Sequence, residues 1–264
     1  MRGLALVFFI FLFFSFSAVI AQSEMPDYFQ SLTSEPLSEY ASGCTAPRNA
    51  FTLNFTDAKR VLRTMFLSLN GRTLYCQCRL VLSGGELGVD GSCPYRPRMN
   101  PAVNWEHVVP ASRFGQLRAC WKGDGCRGKR GRRCCQEVDP CFNRMEGDLH
   151  NLHAAINDLN YDRSNYMFGD VSGEERRYGG CDFEIDSSRR IAEPAPQIRG
   201  DIARSYLYMS WRYGFDLTDD EKMLFLRWNI EDPPDEAERR LEAARRRLQG
   251  NGNPFITGWK NPTS

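Results

Sequence analysis

Histidine is scarce in this chain, with three residues, His107, His150 and His153, among 264. Imidazole chemistry, if there is any, must sit at one of two short stretches. Charge imbalance is missing too. Arg2 is the one charged residue of the first 21, so the remaining 243 residues carry 33 basic and 33 acidic side chains. A net charge of zero gives no global pull toward a polyanion, and nucleic-acid binding would have to come from a local patch. There is no internal repeat and no low-complexity tract. The cysteines lack two clean CxxC pairs, which disfavours zinc as their partner. A single long apolar run is present, Leu4 to Phe16. It falls short of the roughly 20 residues a membrane span needs.

That run follows Arg2 and precedes Val19-Ile20-Ala21, the pattern of a secretory signal cut after Ala21. Ten cysteines behind such a signal indicate an oxidising compartment and up to five disulfides. The adjacent Cys134 and Cys135 should bond to different partners, and the spacing does not give the connectivity. Asn54-Phe55-Thr56 is a glycosylation sequon, informative in a eukaryotic source. Residues 22–50 read as an extended leader, and 51–260 are long enough for one domain with a substantial core. No membrane partner is expected for the processed chain, which should be a monomer.

Along the domain, Thr56 reads as the N-cap of a helix whose Val61, Leu62, Met65, Phe66 and Leu69 recur at helical spacing until Asn70-Gly71. Residues 73–82 alternate as a half-buried strand would, and 83–92 read as a turn region. Val103 to Val109 is a strand closed by Pro110. From Arg113 to Arg133 eight basic residues face one acid, Asp124, a local charge of +7. Gly123, Gly125, Gly128 and Gly131 argue against a regular helix there, leaving a cysteine-stapled basic loop suited to phosphate contact. Residues 201–214, 218–229 and 235–249 read as helices, the second opened by a capping box at Thr218 and the third a solvent-facing element with i,i+4 charge pairs.

Two stretches carry the chemistry. In Asn104-Trp105-Glu106-His107-Val108-Val109-Pro110, a carboxylate suits a hard cation such as Mg²⁺ and a neutral imidazole suits a general base. Neighbours on a regular strand point to opposite faces, so both serve one site only where the strand bends or ends. In the second stretch, Leu149, Leu152, Ile156 and Leu159 fit one face of a helix. Alternatively, 145–153 is extended and Asn157 caps a helix carrying Asn160; the Asn157-Asp158 pattern favours this second reading.

Trp105-Glu106-His107-Val108-Val109-Pro110-Ala111, Met145-Glu146-Gly147-Asp148-Leu149-His150-Asn151-Leu152 and Leu159-Asn160-Tyr161-Asp162-Arg163-Ser164-Asn165 together resemble the endonuclease I family of secreted and periplasmic nucleases. Tyr75-Cys76-Gln77-Cys78, Tyr178-Gly179-Gly180-Cys181 and Gln249-Gly250-Asn251-Gly252-Asn253-Pro254-Phe255 extend the resemblance over about 56–256. It implies an α+β fold: a ββα-metal (His-Me finger) core in a single disulfide-stapled domain with surrounding helices. The strands would lie near 103–109 and 144–153 and the helix near 157–168. It further implies Glu106 and Asn160 as ligands of Mg²⁺, with Ca²⁺ or Mn²⁺ as substitutes, and His107 as general base. Arg132 would contact the scissile phosphate, with Arg127, Lys129, Arg130 and Arg133 as further nucleic-acid contacts. The implied activity is hydrolysis of DNA, and of RNA as well, to 5′-phosphate ends with little sequence preference. His153-Ala154 and Asn157-Asp158 depart from the family pattern. A catalytically silent nucleic-acid-binding protein on the same scaffold, and a disulfide-rich structural or zinc-binding protein, are the other readings that the residues allow.

Overall fold

The computed structural model describes residue 44 and residues 53–99, 101–173 and 176–261. The signal segment 1–21 and, apart from Cys44, the leader 22–50 lie outside the described residues. The fold is α+β, built from helices and three small sheets. The first helix, α1 (Phe55–Ser68), is capped by Asn54 rather than Thr56: the Asn54 side chain accepts from Asp57 N, so the helix starts earlier than the sequence suggested. Ala58, Leu62, Met65 and Phe66 form its buried face.

β1 (Leu80–Ser83) and β2 (Glu86–Val89) then pair as an antiparallel hairpin. The expected strand over 73–82 is thus confined to its last residues, and the expected turn over 83–92 contains the second strand. Residues 74–76 are a turn instead, closed by Gln77 N to Thr73 O at 3.0 Å. Cys76 is bonded to Cys181 and Cys78 to Cys93, which pins this turn.

β3 (Val103–His107) is followed by the basic region, which is not a loop. It holds α2 (Ala111–Gly115), α3 (Ala119–Lys122) and α4 (Gly131–Val138), short helices with the glycines at their ends or between them. Cys120–Cys135 and Cys126–Cys134 staple α3 and its following turn to α4, and Cys44–Cys141 ties the leader to α5 (Pro140–Glu146). With every cysteine paired, the zinc reading is left without thiolates.

A 3₁₀ turn, Leu149–Asn151, leads into β4 (Leu152–Ile156), which pairs antiparallel with β3: Val103 faces Ile156 and His107 faces Leu152. The second strand therefore begins at 152, and 144–151 is helix and turn. Residues 145–153 are accordingly not extended throughout. α6 (Asn157–Arg163) starts directly after β4, with Ile156 rather than Asn157 in the cap position, and ends at Ser164 with φ 54°. β5 (Met167–Phe168), β6 (Phe183–Asp186) and β7 (Ile191–Pro194) form the third sheet.

α7 (Arg199–Tyr213), α8 (Asp219–Glu231), α9 (Glu236–Gln249) and α10 (Pro254–Thr257) complete the chain. The β3–β4 ribbon lies between two apolar clusters. Val103, Leu152 and Ala154 pack with α1 and the β1–β2 hairpin, while Ala155 and Ile156 belong to the larger cluster with α7 and α8. α9 is only in part the surface element expected from its charge pattern: the i,i+4 pair of Arg240 with Glu236 is exposed, but the opposite face is buried. Its Glu238 takes two bonds from the buried Arg204 of α7, at 2.6 and 2.5 Å, and its buried Arg245 donates to Leu152 O at 2.8 Å. Charges whose partners come from other elements can be buried where a local pattern predicts exposure.

Candidate active site

β3 ends at His107, and the chain turns there. Val108 N donates to Asn151 O at 3.1 Å. The Asn151 side chain then accepts from Val109 N at 2.7 Å and donates to Val109 O at 3.0 Å. This amide replaces the strand neighbour that Val109 would otherwise need, and both residues are fully buried. Regular alternation thus stops at the Glu106-His107 pair. Both residues line one open trough of about 1450 Å³, along with Asn104, Arg132, Asn157 and Asn160.

Glu106 Oε1 accepts from the Tyr75 hydroxyl and from Arg163 Nη1, each at 2.6 Å. Arg163, wholly buried at the end of α6, also donates to His107 O at 3.0 Å and Val108 O at 2.7 Å, and lies 4.4 Å over the Phe168 ring. One guanidinium thereby holds the carboxylate and the bend behind it. Burial raises the Glu106 carboxyl above its usual range, while Arg163 and Tyr75 act against that rise. Oε2 has no hydrogen-bond partner among the described residues.

The His107 Nε2 lies 2.9 Å from the carbonyl oxygen of Glu146. A carbonyl has no proton to give, so Nε2 carries the hydrogen and Nδ1 keeps the lone pair. Burial, followed by the charge of Arg132, depresses the imidazole to about 3, which leaves it neutral at physiological pH. Phe55, the first residue of α1, packs on the imidazole at 4.7 Å between centroids. Gly147 makes this approach possible: a Cβ there would lie 2.1 Å from Leu53 O, so a side chain would push the start of α1 away.

Asn160 Nδ2 donates to Asn104 Oδ1 at 2.8 Å, and Asn104 Nδ2 donates to Asn157 Oδ1 at 2.5 Å. The relay fixes the Asn160 amide and leaves its Oδ1 without a partner among the described residues. Arg132 is bonded through Nε to Glu146, lies 5.0 Å over the Phe55 ring and lines the trough. Arg127, Lys129, Arg130 and Arg133 are exposed and line no part of it. Much of the +7 charge is met by acids: Arg113 with Glu221, Arg118 with Asp139, Lys129 with Glu137. His150 and His153 are buried structural residues. His150 packs on Tyr208 at 4.7 Å and pairs with Asn251 O at 2.9 Å.

Tyr75, Phe55, Glu146 and Arg163 are the site residues that pattern reading missed. Arg163 alone left a signal, an arginine three residues beyond Asn160 on the same helix.

Residues 73–259 match the Endonuclease I family. The chain belongs to that family. It is 40% identical over 219 residues to an extracellular deoxyribonuclease of Aeromonas hydrophila, covering 80% of this chain and 92% of the relative. It is also 40% identical over 190 residues to a periplasmic deoxyribonuclease of the same species, covering 70% and 77%. Endonuclease-1 of Buchnera aphidicola subsp. Acyrthosiphon pisum is 36% identical over 209 residues, covering 77% and 80%. The resemblance read from the motifs is borne out: this endonuclease I family member is a phosphodiester hydrolase, secreted or periplasmic. Among the described residues no helix is long and apolar enough to cross a membrane. Nucleases of the family are in general metal-dependent.

Proposed function

We propose that this endonuclease hydrolyses DNA, and RNA as well, with little sequence preference. Glu106 and Asn160 hold Mg²⁺, His107 is the general base, and Arg132 contacts the scissile phosphate. On this reading β3, β4 and α6 are the ββα-metal unit, with Glu106 and His107 at the end of its first strand and Asn160 in its helix. The relatives named as deoxyribonucleases support DNA as substrate. Phosphate contacts carry no base information, which supports low sequence preference.

The donor set suits a hard cation. Among the described residues no group of three or more His, Cys, Asp and Glu side chains is placed to hold a metal ion. The unpartnered oxygens of Glu106 and Asn160 remain, and Mg²⁺ prefers such oxygen donors while keeping several waters. When bound, Mg²⁺, or Ca²⁺ or Mn²⁺ in its place, supplies the positive charge that stabilises the pentacovalent transition state and the departing oxygen.

The observation that carries the reading is the 2.9 Å contact of His107 Nε2 with the Glu146 carbonyl, from which the tautomer follows. With Nε2 committed to the Glu146 carbonyl, Nδ1 is an unprotonated base at the trough wall, ready to take a proton from an attacking water. In-line attack at phosphorus then breaks the bond to the 3′-oxygen, which takes up a proton from water to become the 3′-hydroxyl, and leaves a 5′-phosphate. Arg132, steadied by Glu146 and Phe55, offsets charge on the phosphate oxygens. The test is cleavage of plasmid, single-stranded DNA and RNA by the wild type and His107→Ala. The variant should keep its fold and its DNA affinity and lose roughly 10²–10⁴-fold in rate. Near-normal cleavage would overturn the assignment.

A further inference from the structure

Of the stapled basic region, read from sequence as the phosphate grip, only Trp121 and Arg132 line the trough. Besides Arg132 and Arg177, the cations that line the trough lie on α1. Phe55, Lys59 and Arg63 sit at i, i+4 and i+8 along one face of the helix, with Arg60 beside them, and all four line the trough. Phe55 touches the reacting centre, 4.7 Å from the His107 ring and 5.0 Å from the Arg132 guanidinium. Lys59 follows at 4.8 Å over the same ring of Phe55. Each further turn moves about 5.4 Å along the helix.

We infer that α1 is the rail that carries the nucleic-acid strand away from the cleavage point. Lys59, Arg60 and Arg63 bind the phosphates flanking the scissile one, and the stapled region does not. A strand carries one charge per about 3.4 Å of rise in a duplex. The two turns from Phe55 to Arg63 therefore span about 11 Å, room for about three phosphates.

The present partners of these cations are weak. Arg60 meets Asp57 at 3.1 Å while 75% exposed, and Arg63 meets Glu86 at 3.9 Å, with a bond to the Gly85 carbonyl. Exposed pairs of this kind contribute little and yield readily to a phosphate. Three acids line the trough: Glu106 is paired with Arg163, Glu86 is the one that meets Arg63, and Asp162 lies on α6, away from the α1 face.

The inference rests on the reading of His107 as the reacting centre, so binding is measured separately from cleavage. In a His107→Ala background, K59A/R60A/R63A and R127A/R130A/R133A are titrated against a fluorescent 20-base-pair duplex at a series of salt concentrations, without divalent metal. Circular dichroism checks that each variant is folded. The rail variant should bind at least about tenfold more weakly, and its salt dependence should flatten by about one power of salt for each phosphate no longer held. The R127A/R130A/R133A variant should bind like the parent. Cleavage by the wild type of single strands of increasing length should rise until about three nucleotides extend on the α1 side. Unchanged affinity and salt slope in the rail variant, or an equal weakening in the other, would overturn the rail. Normal cleavage by His107→Ala would instead overturn the reacting centre and leave the binding result standing.

Discussion

Replacing Asn151 tests whether the bend behind Glu106-His107 depends on one side-chain amide. In Asn151→Ala, Val109 N and Val109 O lose their partners at 2.7 and 3.0 Å, and Val109 is fully buried, so water does not replace them. Each orphaned group costs about 1–3 kcal/mol, giving a loss of about 4 kcal/mol from a total that for most domains is about 5–15. Asn151→Asp is the sharper variant. Its carboxylate still accepts from Val109 N but opposes the Val109 carbonyl, whereas the protonated acid can donate to that carbonyl. The folded-state pKa of the introduced acid is therefore raised above its unfolded value of about 3.9. The folded state then binds more protons, so the deficit relative to wild type is smallest at low pH and grows as pH rises toward the folded pKa. Urea unfolding with disulfides intact, repeated from pH 3.5 to pH 8, measures this directly. A cost below about 1 kcal/mol for Asn151→Ala, or an Asn151→Asp deficit independent of pH, would refute the reasoning.

Two further outcomes follow from the buried side chains. His150 is held neutral, its pKa lowered to about 4 by burial, so an unfolded chain takes up a proton that the native one refuses. Its stabilising contribution is complete above about pH 6.5 and is lost as pH falls toward 4, about 3 kcal/mol in all; His150→Gln should flatten the wild-type slope of stability against pH in that window, and an unchanged slope would exclude His150 as its source. Removing divalent metal with EDTA should abolish cleavage yet leave the melting temperature within about 4 °C, because Tyr75 and Arg163 already satisfy Glu106. A larger shift in calorimetry would mean that the metal is structural.

The parts of this fold legible in the sequence are those whose signals are local. α1 shows helical spacing, α8 opens on a capping box that the structure contains, and β3 starts at Val103 as expected but ends at His107 rather than Val109, which meets the demand that the strand bend or end at the Glu106-His107 pair. β4 was placed too early because all five of its residues are buried, so Leu152-His153-Ala154-Ala155-Ile156 has no alternation to read. The site's support was hidden by distance along the chain. Tyr75 is 31 residues from Glu106 and nothing near it marks it as a partner; Arg163 is 57 residues away, and its one signal is its place on the helix of Asn160. The basic region misled because a run of like charge carries no record of the acids that meet it, such as Glu221 opposite Arg113 at 2.5 Å.

The adjacency of Cys134 and Cys135 has its own result. Successive residues of a helix diverge by about 100° around its axis, so bonds to Cys126 and Cys120 grip α4 from two sides and fix its roll as well as its position. Arg132 shares that helix, and its aim over Phe55 is therefore set covalently. Exchange of the two partners would twist α4 by about a third of a turn and swing Arg132 off the trough. Such a chain would have no free thiol and still be defective. Oxidation alone does not make this enzyme; each of the two adjacent cysteines must find its own partner.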